Sequence, residues 1–589
     1  MNTTNSSTAN SSSTPRRWRI ARRLLVTAAA VTTLIAVFYT VENWRGKRAW
    51  ENSRRELEAK GEVIDWTKCI PAQVPDDQNI FKAPHMQEWF VRPSPTTPQS
   101  TTPSPFALSP RNEVKLMVAE VTIVAPNAAP ASQPADATFR FDDPAAREQV
   151  ATLLRDAIGP CALGSKAYVL LAHPLDQFKP LHLTLQAGTA PDAKALAAFF
   201  SASLTNLTMD YSDTSIFRVD SAGSNTFRVS LRDQACGAAE YLEWTDSTTS
   251  DFDVLRKALE RPFARIDCDY TQPFLMLIPN FVTVRNAAQI LSQRTQCHLL
   301  LGQPEEAWHE LSLVHDLCRV LLSQPTGKPM TLVAAMINTA VHGLYPNVVE
   351  DGLRLHAWRE PQLVAIEQQL KATDLLAPVL EGFKEERAAS CYTFETIKTS
   401  ELLKLMKVGT DKSPWQEVSL RLVLTLMPRG WYYQNMVVGA QAEQELLDCV
   451  DLGKQRVTPH QTEIYLRYLQ LHGEKRSPYT FLVAWSLPNF VKALQTTAHN
   501  QTVVNEASLA CALERQHLAK GDYPETLDAL TPQFIEKLPH DLISGQPLKY
   551  HRTAGGGYQL YSIGWDEKDN GGTVGKSKEE GDWVWEQRQ

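Results

Sequence analysis

Leu24–Val41, LLVTAAAVTTLIAVFYTV, is a run of eighteen uncharged and mostly apolar residues whose reading decides how the rest of the chain is mounted. A bilayer core about 30 Å thick takes ~20 apolar residues of helix, so this run is close to the shortest that spans. Arg16, Arg17, Arg19, Arg22 and Arg23 lead into it. A cleaved signal peptide ends in a small-x-small site. Here the run ends in Phe38-Tyr39-Thr40-Val41-Glu42-Asn43-Trp44, bulky and aromatic, which suits an uncleaved signal anchor with an interfacial belt. A cleaved signal peptide and a buried helix are the alternatives.

Orientation follows less directly. Five basic residues precede the run, and five follow it closely: Arg45, Lys47, Arg48, Arg54 and Arg55. The positive-inside rule counts Lys and Arg, so the two sides tie. The tail before the anchor is short and free of Asp and Glu, and large domains translocate largely regardless of charge. The expectation is a single-pass protein of a bacterial inner membrane, in the bilayer through residues 24–41, with the bulk of the chain extracytoplasmic.

A length of 589 residues implies three or four folding units, and 43% hydrophobic with 21% charged residues is ordinary globular composition. The net charge of −7 gives no basic face for phosphates and excludes a nucleic-acid partner. Nine scattered cysteines include no CxxC, which argues against a zinc site or a disulfide framework. Most are expected as small buried hydrophobes, with one or two disulfides left open.

The expected order is a disordered basic tail (1–23), the anchor (24–41), a juxtamembrane helix and loop (42–91), a Ser/Thr/Pro linker (92–110), an α+β domain (111–250), a helical hairpin region (251–505) and a C-terminal α+β module (506–589). In the α+β domain, Glu113–Val124, Ala167–Ala172, Leu181–Leu185, Phe217–Val219, Thr226–Ser230 and Tyr241–Trp244 carry strand signals. Pro144–Ile158, entered through Asp143 as N-cap, and Asp192–Ala202 carry helix signals. In the helical region, Asn286–Leu322 forms a helix, a break at Gly302-Gln303-Pro304, and a second helix with Trp308, Leu311, His315, Cys318 and Leu322 on one stripe. This single unit resembles a tetratricopeptide hairpin, but the 34-residue period does not recur. Leu420–Met427 with the following Pro-Arg-Gly-Trp-Tyr-Tyr is too short to span and is read as a buried helix and turn.

The C-terminal segments ALERQHLAKGDYPETLDAL, LPHDLISGQPLKY, YQLYSIGWDEKDNGG and GDW stand in an order that resembles the C-terminal half of the major pseudopilins of type II secretion. The resemblance covers roughly the last 80 residues. It implies a structural calcium ion in the terminal acidic loop, with Asp566, Asp569 and Asp582 as the matching carboxylates. A solvated acidic loop is the alternative. The family's prepilin motif is absent, since Leu24–Val41 follows arginines and carries no early Glu.

No catalytic residues are assigned. Asn570–Ser577, NGGTVGKS, is one residue from a P-loop but follows an acidic loop rather than a strand. Glu306-x-x-His309 has the spacing of half a di-iron site; read as a lone copy, it is a surface polar pair. His173, His182 and Asp176 lie in the α+β domain, where they would have to meet a nucleophile. The functional expectation is a membrane-anchored scaffold or interaction protein with a protein partner, linked to an envelope or secretion assembly. An envelope hydrolase with its site in the α+β domain is the alternative.

Overall fold

The computed structural model describes residues 16–587 apart from 93–103, 109–113, 126–134, 165–167, 189–190, 204–216, 224, 232–233, 330, 408–413, 474–476 and 487–489. Most of the expected tail and linker therefore lies outside the described residues. The chain divides into two units built from interleaved segments. One takes Met1–Asp65, Arg387–Gln444 and Tyr465–Pro488; the other takes Trp66–Glu386, Glu445–Ile464 and Asn489–Gln589. This departs from consecutive domains, because composition marks local environment and not where a chain returns to pack.

The first unit is organised by one unbroken helix, Arg16–Ala59, in which the apolar run and the charged stretch after it are continuous. Its most apolar window is bare along its whole length, and the helix is long and apolar enough to cross a membrane. Beyond Val41 one face turns inward. Trp50 and Leu57 are buried with Phe394, Leu402, Met406 and Met436. The outer face carries the ion pairs Lys47–Glu51 and Arg54–Glu58, at four-residue spacing. Arg387, fully buried, is held by Glu62 and by Gln444 at 2.8 Å. One expectation fails here. In the helix Pro414–Leu426, Leu424 is buried with the following Met427, but Trp415, Val418, Leu422, Val423 and Leu426 are exposed. Hydrophobicity alone did not say how many sides of this helix the protein covers.

In the second unit a five-stranded sheet runs in the order β2-β5-β1-β7-β6. Its strands are β1 (Met117–Val124), β2 (Ala137–Arg140), β5 (Leu181–Gln186), β6 (Phe217–Ser221) and β7 (Thr226–Leu231). β1 pairs parallel to β5 and antiparallel to β7. A register shift between Met117 and Ala119 lets Val118 and Ala119 both face inward before strict alternation resumes. Pro144–Ile158 and Ala193–Ser203 pack on this sheet through Val150, Leu154, Leu196 and Phe199. Asp143 caps the first of them by accepting from the Ala145 N–H at 2.9 Å, with Pro144 at the first helical position.

A second sheet joins β3 (Cys161–Gly164), β4 (Tyr168–Leu171) and β8 (Gln234–Gly237). The expected strand at Tyr241–Trp244 is instead part of the helix Ala238–Thr245. Its aromatic content suggests strand, but Ala238 and Ala239 start a helix and Tyr241 and Thr245, four apart, are both buried.

The helical hairpin is present as Phe281–Leu300 and Pro304–Leu317, broken at Gly302, whose φ of +68° suits glycine. Only a two-stranded ribbon, β9 (Val450–Asp451) with β10 (Arg456–Val457), interrupts the described helices before residue 520. The helix Phe490–Lys520 runs straight through the expected 505/506 boundary. It leads to an antiparallel sheet of β11 (Lys549–Arg552), β12 (Tyr558–Ser562) and β13 (Trp583–Gln587). Tyr558, Leu560 and Trp585 share one core with Val504, Cys511 and Leu311. The C-terminal module is thus continuous with the helical region. Phe106, inside the expected linker, is fully buried and stacks on Phe252 at 5.0 Å. None of the nine cysteines is disulfide-bonded, and seven are buried.

One buried group sets an acid limit. His342 Nδ1 lies 3.1 Å from the Asn338 carbonyl and 3.3 Å from Cys318 Sγ. Burial, with His315 beside it, pushes its pKa down to about 4. The unfolded chain therefore takes up this proton first as pH falls through ~6.5. Stability should fall by up to about 3 kcal/mol between pH 6.5 and 4 from this group alone. Urea midpoints measured across that range should show the loss, and His342→Gln should remove it.

Candidate functional site

The described residues that couple the apolar helix to a folded unit form a collar around residues 38–46. Tyr39 Oη donates to the Leu426 carbonyl at 2.5 Å. Phe38 sets its ring edge against Trp431 at 6.2 Å. One turn on, the buried Glu42 carboxylate accepts from Trp431 Nε1 at 2.8 Å and Tyr479 Oη at 3.2 Å, and pairs with Arg45 at 3.1 Å. Asn43 Oδ1 accepts from the Gly430 N–H at 2.7 Å. Glycine at both Gly46 and Gly430 lets two backbones touch: a Cβ on Gly46 would fall on the Gly430 carbonyl, and one on Gly430 on the Glu42 carbonyl. Trp44 points outward under Arg48, whose Cζ lies 5.4 Å from the ring centroid. The aromatic end of the apolar run is thus part socket, part exposed belt.

A second cluster lies in the other unit. Glu514 and His517 share a face of the helix Phe490–Lys520 at three-residue spacing, and His356 follows the helix Leu332–Arg354 in a left-handed conformation, φ +47°. Their donor atoms lie within 4.8 Å of one another, the one such group among the described residues. His356 Nδ1 is 3.0 Å from Glu514 Oε1, Tyr523 Oη donates to Glu514 Oε2 at 2.8 Å, and His517 stacks on Tyr523 at 4.6 Å. Two imidazoles and a carboxylate suit a first-row divalent ion such as zinc. The hydrogen bond to Glu514 raises the His356 pKa. Sequence analysis missed this group although a signal was present: Glu514-Arg515-Gln516-His517 is a second E-x-x-H. The first copy does not join it. Glu306 and His309 are exposed on the helix Pro304–Leu317, while the buried neighbour Glu310 pairs with Arg294 at 2.9 Å.

The three aspartates matched to calcium are placed in one loop but are not brought together as a ligand group. Asp582, buried, accepts from the N–H groups of Asn570 at 3.1 Å, Gly572 at 2.7 Å and Thr573 at 3.3 Å. Asp566 accepts from the Lys568 and Gly581 N–H groups, both at 3.2 Å. Asp569 accepts from the Gly571 N–H at 3.0 Å and faces Lys549 at 3.5 Å. Each of the three carboxylates is thus engaged by backbone N–H groups of its own loop. NGGTVGKS lies in the same loop with β13 after it, so no helix opens there to receive phosphate. His173, Asp176 and His182 are exposed, and His182 Nδ1 lies 3.8 Å from Asp136 Oδ2.

Comparison with protein-family models, with curated proteins and with solved structures finds no match to this chain. Its own geometry must carry the functional reading.

Two outcomes test these sites. Gly430→Ala should destabilise the first unit by about 3 kcal/mol or more, because the new Cβ meets backbone that cannot rotate away. Gly555→Ala, whose Cβ meets nothing within 4 Å, is the control in thermal melts. The hydrogen bond to Glu514 raises the His356 pKa, so its contribution is complete below the ordinary histidine pKa and is lost as pH rises through the raised value. Urea midpoints at pH 6 and pH 9 should show that slope, and His356→Gln should flatten it.

Proposed function

We propose that this chain is a single-pass membrane-anchored protein that holds two folded units at a membrane surface as a scaffold for a protein partner. The observation that carries the reading is the continuity of Arg16–Ala59: a bare apolar stretch runs without a break into a segment that builds the core of the first unit. A detachable leader has no reason to be locked in place by Glu42, Asn43 and Gly46. The helix Leu332–Arg354 is also long and apolar enough to span, but it is mostly buried and serves as a core helix.

We place the bulk of the chain outside the cytoplasm of a bacterial inner membrane, on the ease with which large domains translocate. An envelope or secretion assembly is the partner we favour, on the pseudopilin resemblance of the last 80 or so residues. The helix of that segment is enclosed by Leu332–Arg354 and Glu360–Ala372, so it acts here as a core element and not as a filament stem.

Alkaline carbonate should leave the full chain in the membrane pellet, whereas replacing Leu24, Leu25, Leu34 and Ile35 with aspartate should release it. Protease added to spheroplasts should digest the chain beyond residue 60; full protection would overturn the orientation.

A further inference from the structure

We propose that the helix Pro414–Leu426 is a second membrane contact, its outward apolar arc seated in the same bilayer that the anchor helix crosses. The proposal rests on the anchor reading above. Trp415, Val418, Leu422 and Leu426 follow at spacings of three, four and four, which puts them on one face of a helix, with Val423 at its edge. Their exposures are 81%, 59%, 59%, 57% and 52% for Trp415, Val418, Leu422, Leu426 and Val423. The opposite side is already used: Leu424 is buried and Leu420 packs against the same core. The helix is therefore apolar on two sides, and the first unit covers one of them.

What covers the other side follows from where the helix ends. Tyr39 of the anchor donates to the Leu426 carbonyl, and Phe38 meets Trp431 just beyond. The last turn of this helix is thereby fixed at the level where the anchor's apolar run ends. Val37, Phe38 and Val41 are likewise exposed on the anchor near that contact. A helix C-terminus leaves its last carbonyls unpaired, and Tyr39 supplies a donor to one of them. At 1.5 Å per residue, thirteen residues reach about 20 Å, too short to span and suited to one leaflet. Exposed Arg421 flanks the arc, where a long cationic side chain can reach the headgroups. A water-soluble partner would have to cover a face that adjoins a lipid-immersed one, so lipid is the occupant we assign.

The test uses the full chain in phosphatidylcholine–phosphatidylglycerol vesicles, with the half-buried Cys69 and Cys268 changed to serine. An environment-sensitive fluorophore is placed through Trp415→Cys, Leu422→Cys, Leu34→Cys in the anchor, or Gly555→Cys in an open turn. Probes at 415 and 422 should be blue-shifted, quenched by shallow doxyl lipids and shielded several-fold from aqueous iodide relative to 555. Iodide access at 415 and 422 with lipid quenching at 34 would overturn the proposal and leave the anchor standing. Iodide access at 34 as well would overturn both. Shielding at 415 and 422 from iodide and lipid quenchers alike would mean that protein covers the face, which also overturns the proposal.

Discussion

Contact between two stretches of backbone, at Gly46 in the long N-terminal helix and Gly430 at the start of Arg429–Leu447, is the constraint on which the first unit depends. Helices normally sit 8–10 Å apart because side chains separate them. Here there is no Cβ on either side, so polar groups close in around the contact. Glu42 collects donors from Trp431 and Tyr479, while Asn43 reaches the Gly430 amide. These bonds fix both the depth and the rotation of the helix against the unit, which side-chain packing alone would leave loosely set. Three parts of the unit that are distant in sequence meet at one carboxylate.

The second unit is organised differently, by a helix enclosed on nearly all sides. Phe281–Leu300 carries Gln293, Arg294 and Gln296 in the interior, and each has a bonded partner. Arg294 joins Glu310 and Thr245; Gln296 joins Asp351 and the Leu163 carbonyl. Burial raises the Asp351 pKa even with Arg354 bonded to it at 2.8 Å. Buried polar groups are costly when unpaired and directional when paired. This set ties β3, the hairpin helices and Leu332–Arg354 into one arrangement that apolar packing would not single out.

The sequence was legible wherever a local rule decided the outcome. Asp143-Pro144 placed a helix start to the residue, and alternation in Thr226–Ser230 placed a strand. Gly302-Gln303-Pro304 marked the hairpin corner. It was illegible where the outcome depends on chain return. Tyr241 looks like a strand residue until Gln293, 52 positions away, receives its hydroxyl. His356 and Glu514 are 158 residues apart, and only the E-x-x-H spacing of Glu514 and His517 was local. The helix Pro414–Leu426 showed its hydrophobicity plainly, but which side stays bare is set by Leu424 and its neighbours in space. The helix Phe490–Lys520 runs through residue 505 unbroken, which no local signal marks.

The absence of disulfides has a consequence for the compartment in which the chain can live. Thiol–disulfide exchange proceeds through the thiolate, so a thiol that cannot ionise exchanges slowly whatever the surrounding potential. Burial pushes the thiols of Cys161, Cys297, Cys391 and Cys511 up, and that of Cys449 up to about 12. Once folded, the buried thiols are slow to meet oxidants without needing a single crosslink, and the half-buried Cys69 and Cys268 are the reachable ones. The vulnerable interval is before folding, when all nine sulfurs are accessible at once. A chain delivered unfolded into an oxidising space would have to outrun mispairing, which makes the speed of core formation, and not the strength of any bond, the quantity under selection.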